Sequence, residues 1–330
     1  MQLELQAYRS QATLPTDRAA AAAQATDALA HPDAHVSQPQ LAFHPQLASL
    51  TRAMFGHATF DNRAGAASSF DAQVRGTDAK AIDLQLARMA QDVYDPNSKG
   101  IEGWTRLTDD QLMQAGIDPA SLEDPSTGFR AAIYQDANGD RVLAFAGSND
   151  AKDWLNNAEQ GLGISAAQYN QAVALATEAR AAFGDSLAIT GHSLGGGLAS
   201  IASLATDSAS VTFNAAGLND ATLRRLVPEG DPGALRQQAE NGLIRRYAVN
   251  GEILTTTQEH TPLPDAVGHK IALNDPDPVA KPDLHWYDWL TGKAEVLQAK
   301  YAADVAKHSV DLHMDDAVLA AMQKDHPWAA

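Results

Sequence analysis

The first sustained periodicity in the chain begins at Ile82. With Leu86, Met89 and Val93 it forms an apolar row at spacings of four, three and four, which predicts a helix lying on a core. Two apolar runs then flank DANGD and predict a β-hairpin with strands at 129–135 and 141–146. A helix is expected over 165–183, a short buried strand at LAIT (187–190), and a helix of small residues over 193–205. VTFNAAG, from Val211, reads as another buried strand, and RRYAVN (245–250) as a further one beyond a polar stretch of helix and turn signals at 220–241. Strands alternating with helices predict the α/β class: a central, mainly parallel sheet flanked by helices, with the hairpin strands at one side. Residues 1–78 show no such period and are rich in Ala, Gln, Ser, Thr, Asp and Pro, with AAAAA at 19–23. They are expected to be a flexible, low-complexity N-terminal segment, leaving 79–330 as the folded domain.

Composition narrows the function. A chain of 330 residues with 45% hydrophobic content can bury a sizeable core. Its net charge of −17, from 41 acidic against 24 basic residues, argues against a nucleic-acid partner and gives no general attraction to an anionic membrane. The absence of cysteine excludes disulfides, thiolate catalysis and Cys-based zinc sites. No apolar run reaches the roughly 18 residues of a membrane span. The first residues, MQLELQAYRSQATLP, lack the cationic and apolar regions of a conventional signal peptide, so export is expected to use another route.

The candidate chemistry centres on AITGHSLGGGLASIA (188–202). Gly-x-Ser-x-Gly matters where a strand turns sharply into a helix, because small neighbours then leave a serine hydroxyl exposed above the sheet. Here LAIT supplies the strand, Gly191 and Gly195 flank Ser193, and Gly196, Gly197, Ala199 and Ser200 allow close helix packing. The helix N-terminus adds amide donors where an oxyanion would form. A serine nucleophile needs a base and an acid, which in this architecture follow it in the order Ser, Asp or Glu, His. Of 11 histidines, His192 lies inside the turn and is expected to point away from its neighbour, and His31, His35, His44 and His57 fall in the N-terminal segment. That leaves His260, His269, His285, His308, His313 and His326. His285 stands beside Trp286, Tyr287 and Trp289, which reads equally as an aromatic packing cluster or a lipid-touching surface.

AFAGSNDAKDWLNNAEQGLG resembles the strand and loop of the fungal-type (class 3) lipases, whose F-R-G-[ST] motif precedes a D-W pair. Phe145, Gly147, Ser148, Asp153 and Trp154 match, and Ala146 replaces the usual Arg. Together with GIDPASLEDPSTGF, AFGDSLAITGHSLGGGLA, VTFNAAGL and PLPDAVGHKI, this block resembles the bacterial phospholipase A1 enzymes of the Serratia and Yersinia type over about 79–273. The resemblance implies an α/β-hydrolase fold of the class 3 lipase kind, and hydrolysis of the sn-1 acyl ester of a glycerophospholipid through an acyl-enzyme. It implies an oxyanion hole from Ser148 and the N–H of Leu194. In the place of the family's triad aspartate stands Glu252, with Asp265 and Asp220 as rivals. For the base, His308 in AKHSVDLHM is favoured and His313 is the alternative; a pair five apart does not suit a helical metal site, and neither metal nor cofactor is expected. The partners expected are a phospholipid or membrane-surface substrate and an accessory or chaperone protein before export, by a type III or flagellar route. A neutral-lipid lipase or carboxylesterase is the alternative reading, and a non-catalytic effector on a hydrolase scaffold is a third.

Overall fold

The computed structural model describes residues 69–147 and 166–329. Among these, nine strands form one sheet: β1 (Gly100–Ile101), β2 (Trp104–Arg106), β3 (Glu123–Asp124), β4 (Phe129–Gln135), β5 (Arg141–Phe145), β6 (Leu187–His192), β7 (Ser210–Phe213), β8 (Ile244–Val249) and β9 (His269–Leu273). The order is β1-β2-β4-β5-β6-β7-β8-β9, with β3 beside β4. From β5 to β9 every pairing is parallel, whereas β1, β2, β3 and β4 pair antiparallel. The sheet is therefore mixed, with the antiparallel hairpin strands at one side as expected and the serine carried by the parallel part. The hairpin pairs Ile133 with Leu143 around the DANGD turn, and β6 is buried along its whole length between β5 and β7. This is the α/β-hydrolase arrangement: a parallel strand running into a helix at the GHSLG turn, with helices on both faces.

Alternation along the strands sorts the two faces. Val142 and Ala144 of β5 join Leu86, Met89, Val93, Val318 and Met322 in one apolar cluster. The helices on that side are α2 (Ile82–Asp92), whose apolar row is the one read from the sequence, and the C-terminal α11 (Asp315–Asp325). The opposite face is covered by α4 (Ala166–Phe183) and α5 (Leu194–Thr206), which pack on each other. In between come α3 (Asp109–Gln114), α6 (Asp220–Leu226), α7 (Pro232–Gln238), α8 (Ile253–His260), α9 (Trp286–Leu290) and α10 (Lys293–Asp311).

The packed body starts earlier than residue 79. Helix α1 (Phe70–Val74) buries Phe70 and Val74 in the core, and Asp71 accepts a hydrogen bond from Ala209 N–H at 2.5 Å. Val74 and Gly76 carbonyls accept from Arg245, which is 1% exposed and grips Asp83 with Nε at 2.9 Å and Nη2 at 2.6 Å. Tyr247 also donates to Asp83, at 2.6 Å. A buried guanidinium is tolerated only when charge and donors are matched, so residues 70–76 complete a network centred on β8. The sequence offered too short an apolar pattern here for the helix to be read. A chain starting at residue 79 is expected to melt about 10 °C or more below one starting at residue 69. Unburying Phe70 and Val74 costs about 4 kcal/mol together, and each kcal/mol moves Tm by about 2–4 °C in a domain of this size. Circular dichroism melts of the two chains check this; equal midpoints would show that α1 adds nothing.

Candidate active site

Three close approaches fix the turn after β6. A Cβ on Gly191 would lie 2.3 Å from the Gly195 carbonyl oxygen, one on Gly195 2.1 Å from that of Phe145, and one on Gly196 2.7 Å from Ala215 Cβ. Only glycine lets the helix start directly against β5 and β7. Ser193 takes φ 57°, ψ −125°, a left-handed conformation costing about 1–3 kcal/mol for a residue with a side chain. Bonds from Ser193 N–H to Phe213 O (3.0 Å) and from Ala216 N–H to Ser193 O (2.9 Å) hold it there. The next residue, Leu194, opens α5, so its N–H has no acceptor within the helix and faces the same turn. At the end of β5, Gly147 N–H donates to the Tyr94 hydroxyl at 2.9 Å. The expected donor Ser148, with Asp153 and Trp154, lies outside the described residues.

Ser193, Glu252 and His313 come together. His313 Nε2 is 2.9 Å from Ser193 Oγ, and His313 Nδ1 is 2.7 Å from Glu252 Oε2. All three are buried, at 2%, 0% and 0% exposure for Ser193, His313 and Glu252. Glu252 follows the turn after β8 as the N-cap of α8, accepting from Leu254 N–H at 2.8 Å and from Thr255 N–H. His308, favoured on sequence, is not in this chain of contacts. It belongs to the last turns of α10, and its Nε2 is 2.8 Å from Asp275 Oδ2. The helix ends at Asp311, and the short turn that follows brings His313 to the C-terminal ends of β6 and β7. The rival acids also stand apart: Asp220 is exposed and pairs with Arg236 at 2.9 Å, and Asp265 is exposed beyond Pro264. His285 lies against Tyr287, ring centroids 5.1 Å apart and tilted by 40°, and is not part of the relay.

Asn214, which the sequence reading did not single out, and His192, which it set aside as a base, hold the histidine turn. Asn214, at the end of β7 with φ 41°, donates from Nδ2 to the Leu312 and His313 carbonyls, both at 3.1 Å. Its Oδ1 accepts from Val249 N–H at 3.0 Å, so one buried amide joins the histidine turn to the strand that leads to Glu252. His192 Nε2 donates to the His313 carbonyl at 2.6 Å, which leaves Nδ1 without a proton, 3.3 Å from Asp315 Oδ2. The sequence signal was the Asn in VTFNAAG, a polar residue closing an apolar strand beside the serine turn. Asn214→Asp keeps the bond from Val249 but sets a carboxylate against two carbonyls. It is expected to lower kcat by about 10²-fold with KM little changed, as for a misplaced catalytic group. Steady-state kinetics check this; a change confined to KM would assign Asn214 to substrate binding instead.

Burial, helped by the nearby His313, drives His192 down to about 3 from 6.5, so it stays neutral. Burial, with Asp316 adding repulsion, raises the Asp315 carboxyl from 3.8 to about 8. Between the ordinary values of 3.8 and 6.5 the two groups bias stability in opposite senses. From 6.5 to about 8 only Asp315 differs: the native chain keeps a proton that the unfolded chain has lost. Stability is thus expected to fall as pH rises through that window, by up to about 1.4 kcal/mol per pH unit. Asp315→Asn should flatten the decline in urea unfolding at pH 6.5 and 8. An unchanged slope would place its source elsewhere.

Comparison with known proteins places these features in a family. Residues 85–303 match the family described as phospholipase-like, Tle-like phospholipase domain. The chain is 43% identical over 325 residues to the extracellular phospholipase A1 of Serratia liquefaciens, covering 97% of this chain and 94% of the relative. That match also spans most of the N-terminal segment. Solved structures with partial similarity include a mutant MDLA of Penicillium cyclopium (15% identity, 63% of this chain, 81% of that one, TM-score 0.38) and the Rhizomucor miehei lipase propeptide complex (14%, 66%, 90%, TM-score 0.35).

Proposed function

The chain belongs to the Tle-like phospholipases, and from that premise we propose that it is a phospholipase A1 whose nucleophile is Ser193, base His313 and orienting acid Glu252. The observation that carries the reading is the unbroken relay of 2.9 Å and 2.7 Å from serine to histidine to glutamate on a nucleophile elbow. With Glu252 accepting its Nδ1 proton, His313 presents a bare Nε2 to the Ser193 hydroxyl. Ser193 Oγ attacks the ester carbonyl as its proton passes to Nε2. The oxyanion that forms meets the Leu194 N–H at the start of α5, with Ser148, directly after Gly147, as the further donor. The imidazolium is stabilised by Glu252 and protonates the departing lysophospholipid oxygen; water then enters by the reverse sequence and frees the fatty acid. A strained serine held with a base and an acid in hydrogen-bond contact counts against the non-catalytic effector reading.

The relative named extracellular supports action outside the cell. The catalytic reading is tested with phosphatidylcholine bearing different acyl chains at sn-1 and sn-2. Release of the sn-1 acid with 2-acyl lysophosphatidylcholine is expected. Prior release of the sn-2 acid, or hydrolysis of triacylglycerol alone, would overturn the assignment.

A further inference from the structure

Helix α9 has its polarity inside out. Asp288, 1% exposed, is covered at the junction with α10, accepting from His285 N–H at 2.9 Å and pairing with Lys293 Nζ at 3.1 Å. Trp286, Trp289 and Leu290, which share the opposite face at i, i+3 and i+4, are 76%, 52% and 76% exposed. Tyr287 flanks them, edge-on to Trp286 at 6.0 Å, and Val296, in the first turns of α10, is 68% exposed. A helix on a soluble body ordinarily does the reverse, and a contiguous exposed apolar patch marks an interaction surface. The next helix, α10, is 19 residues and about 28 Å long, yet it buries only Ala294. Its C-terminal end is tied to the body by His308 to Asp275 and by Ser309 Oγ to the Gly251 carbonyl at 2.6 Å. Two residues beyond that end stands His313.

We propose that α9 and the start of α10 form a docking surface for the zwitterionic phospholipid bilayer that contains the substrate, an inference that rests on the phospholipase reading. Trp and Tyr rings combine an apolar body with a polar edge and settle at the headgroup level, while Leu290 and Val296 enter the acyl boundary. The chain's charge of −17 offers an anionic leaflet no electrostatic attraction, so binding must come from apolar burial, and phosphatidylcholine suffices. No helix among the described residues is long and apolar enough to cross a membrane, so α9 lies on the surface rather than through it. Because α10 joins the patch to the His313 turn, docking holds the base within about one helix length of the bilayer.

The test compares the full chain with the combined variant Trp286→Ser, Trp289→Ser, Leu290→Ser, whose sites are exposed. Flotation with phosphatidylcholine vesicles, in a Ser193→Ala background that leaves the lipid intact, reads docking alone. Hydrolysis of the same vesicles and of monomeric dihexanoylphosphatidylcholine reads catalysis. The apparent vesicle Kd is expected to rise at least about tenfold, and vesicle hydrolysis to fall in step, while monomer hydrolysis changes less than about twofold. Unchanged vesicle binding, or an equal fall on monomers and vesicles, would overturn the proposal. So would a wild-type dimer that the variant dissolves without loss of vesicle binding, since a second copy would then cover the patch. Should the wild type hydrolyse neither lipid, the phospholipase reading fails while the flotation result still decides docking.

Discussion

His313→Ala is expected to lower kcat/KM on phosphatidylcholine by roughly 10⁶-fold, as loss of the histidine of a serine triad does. His308→Ala should stay within a few-fold of wild type. The contrast follows from the contacts: His313 stands 2.9 Å from Ser193 Oγ, while His308 is committed to Asp275 at 2.8 Å. Losing the Asp275 contact removes one partly exposed side-chain contact at the foot of α10, worth at most about 1 kcal/mol. Initial rates on one phospholipid, with circular dichroism to establish folding, decide the matter. A His308 variant as dead as the His313 variant would mean that the base loop rearranges on substrate binding.

Glu252→Gln is expected to cost about 10⁴ in kcat, because an amide cannot stabilise the imidazolium or enforce its tautomer. It should also cost stability. The carboxylate is fully buried and surrounded by donors: Leu254 N–H, Thr255 N–H and His313 Nδ1–H. An amide nitrogen there faces one of those donors with another donor, a mismatch worth about 1–3 kcal/mol. Glu252→Asp separates the two roles. Aspartate is a strong N-cap and should preserve α8, but it is one methylene short of His313, so stability should hold while kcat falls. Asp265→Asn and Asp220→Asn should leave kcat near wild type. If Glu252→Gln were active while Asp265→Asn was not, the acid would have to be relocated to the loop after α8.

Local rules legible in the sequence decided much of this. The period from Ile82 to Val93 placed α2, the DANGD turn placed the β4–β5 hairpin, and small residues around Ser193 placed the elbow, because helix period, turn chemistry and close approach depend on neighbours in the chain. The resemblance pointed to Glu252, just past β8, as the candidate acid, and its contact with His313 is what the fold adds. The base was not legible. His308 and His313 follow the same helical stretch, and no local pattern says where that helix stops. The apolar residues Leu312 and Met314 around His313, followed by Asp315 and Asp316 at a helix start, were the available signal for a buried turn. What settled the histidine's place was tertiary: α10 ends at Asp311, and Asn214 and His192, 99 and 121 residues away in the chain, donate to the His313 carbonyl. The start of the body was settled the same way, since α1 is held by Arg245, a partner about 170 residues distant. Sequence by itself determined the main helices and strands around the serine and the sharp turn that carries it, which short-range sterics and periodicity control. Only the folded structure decided which histidine meets the serine, because that depends on buried hydrogen bonds between segments that the chain order keeps far apart.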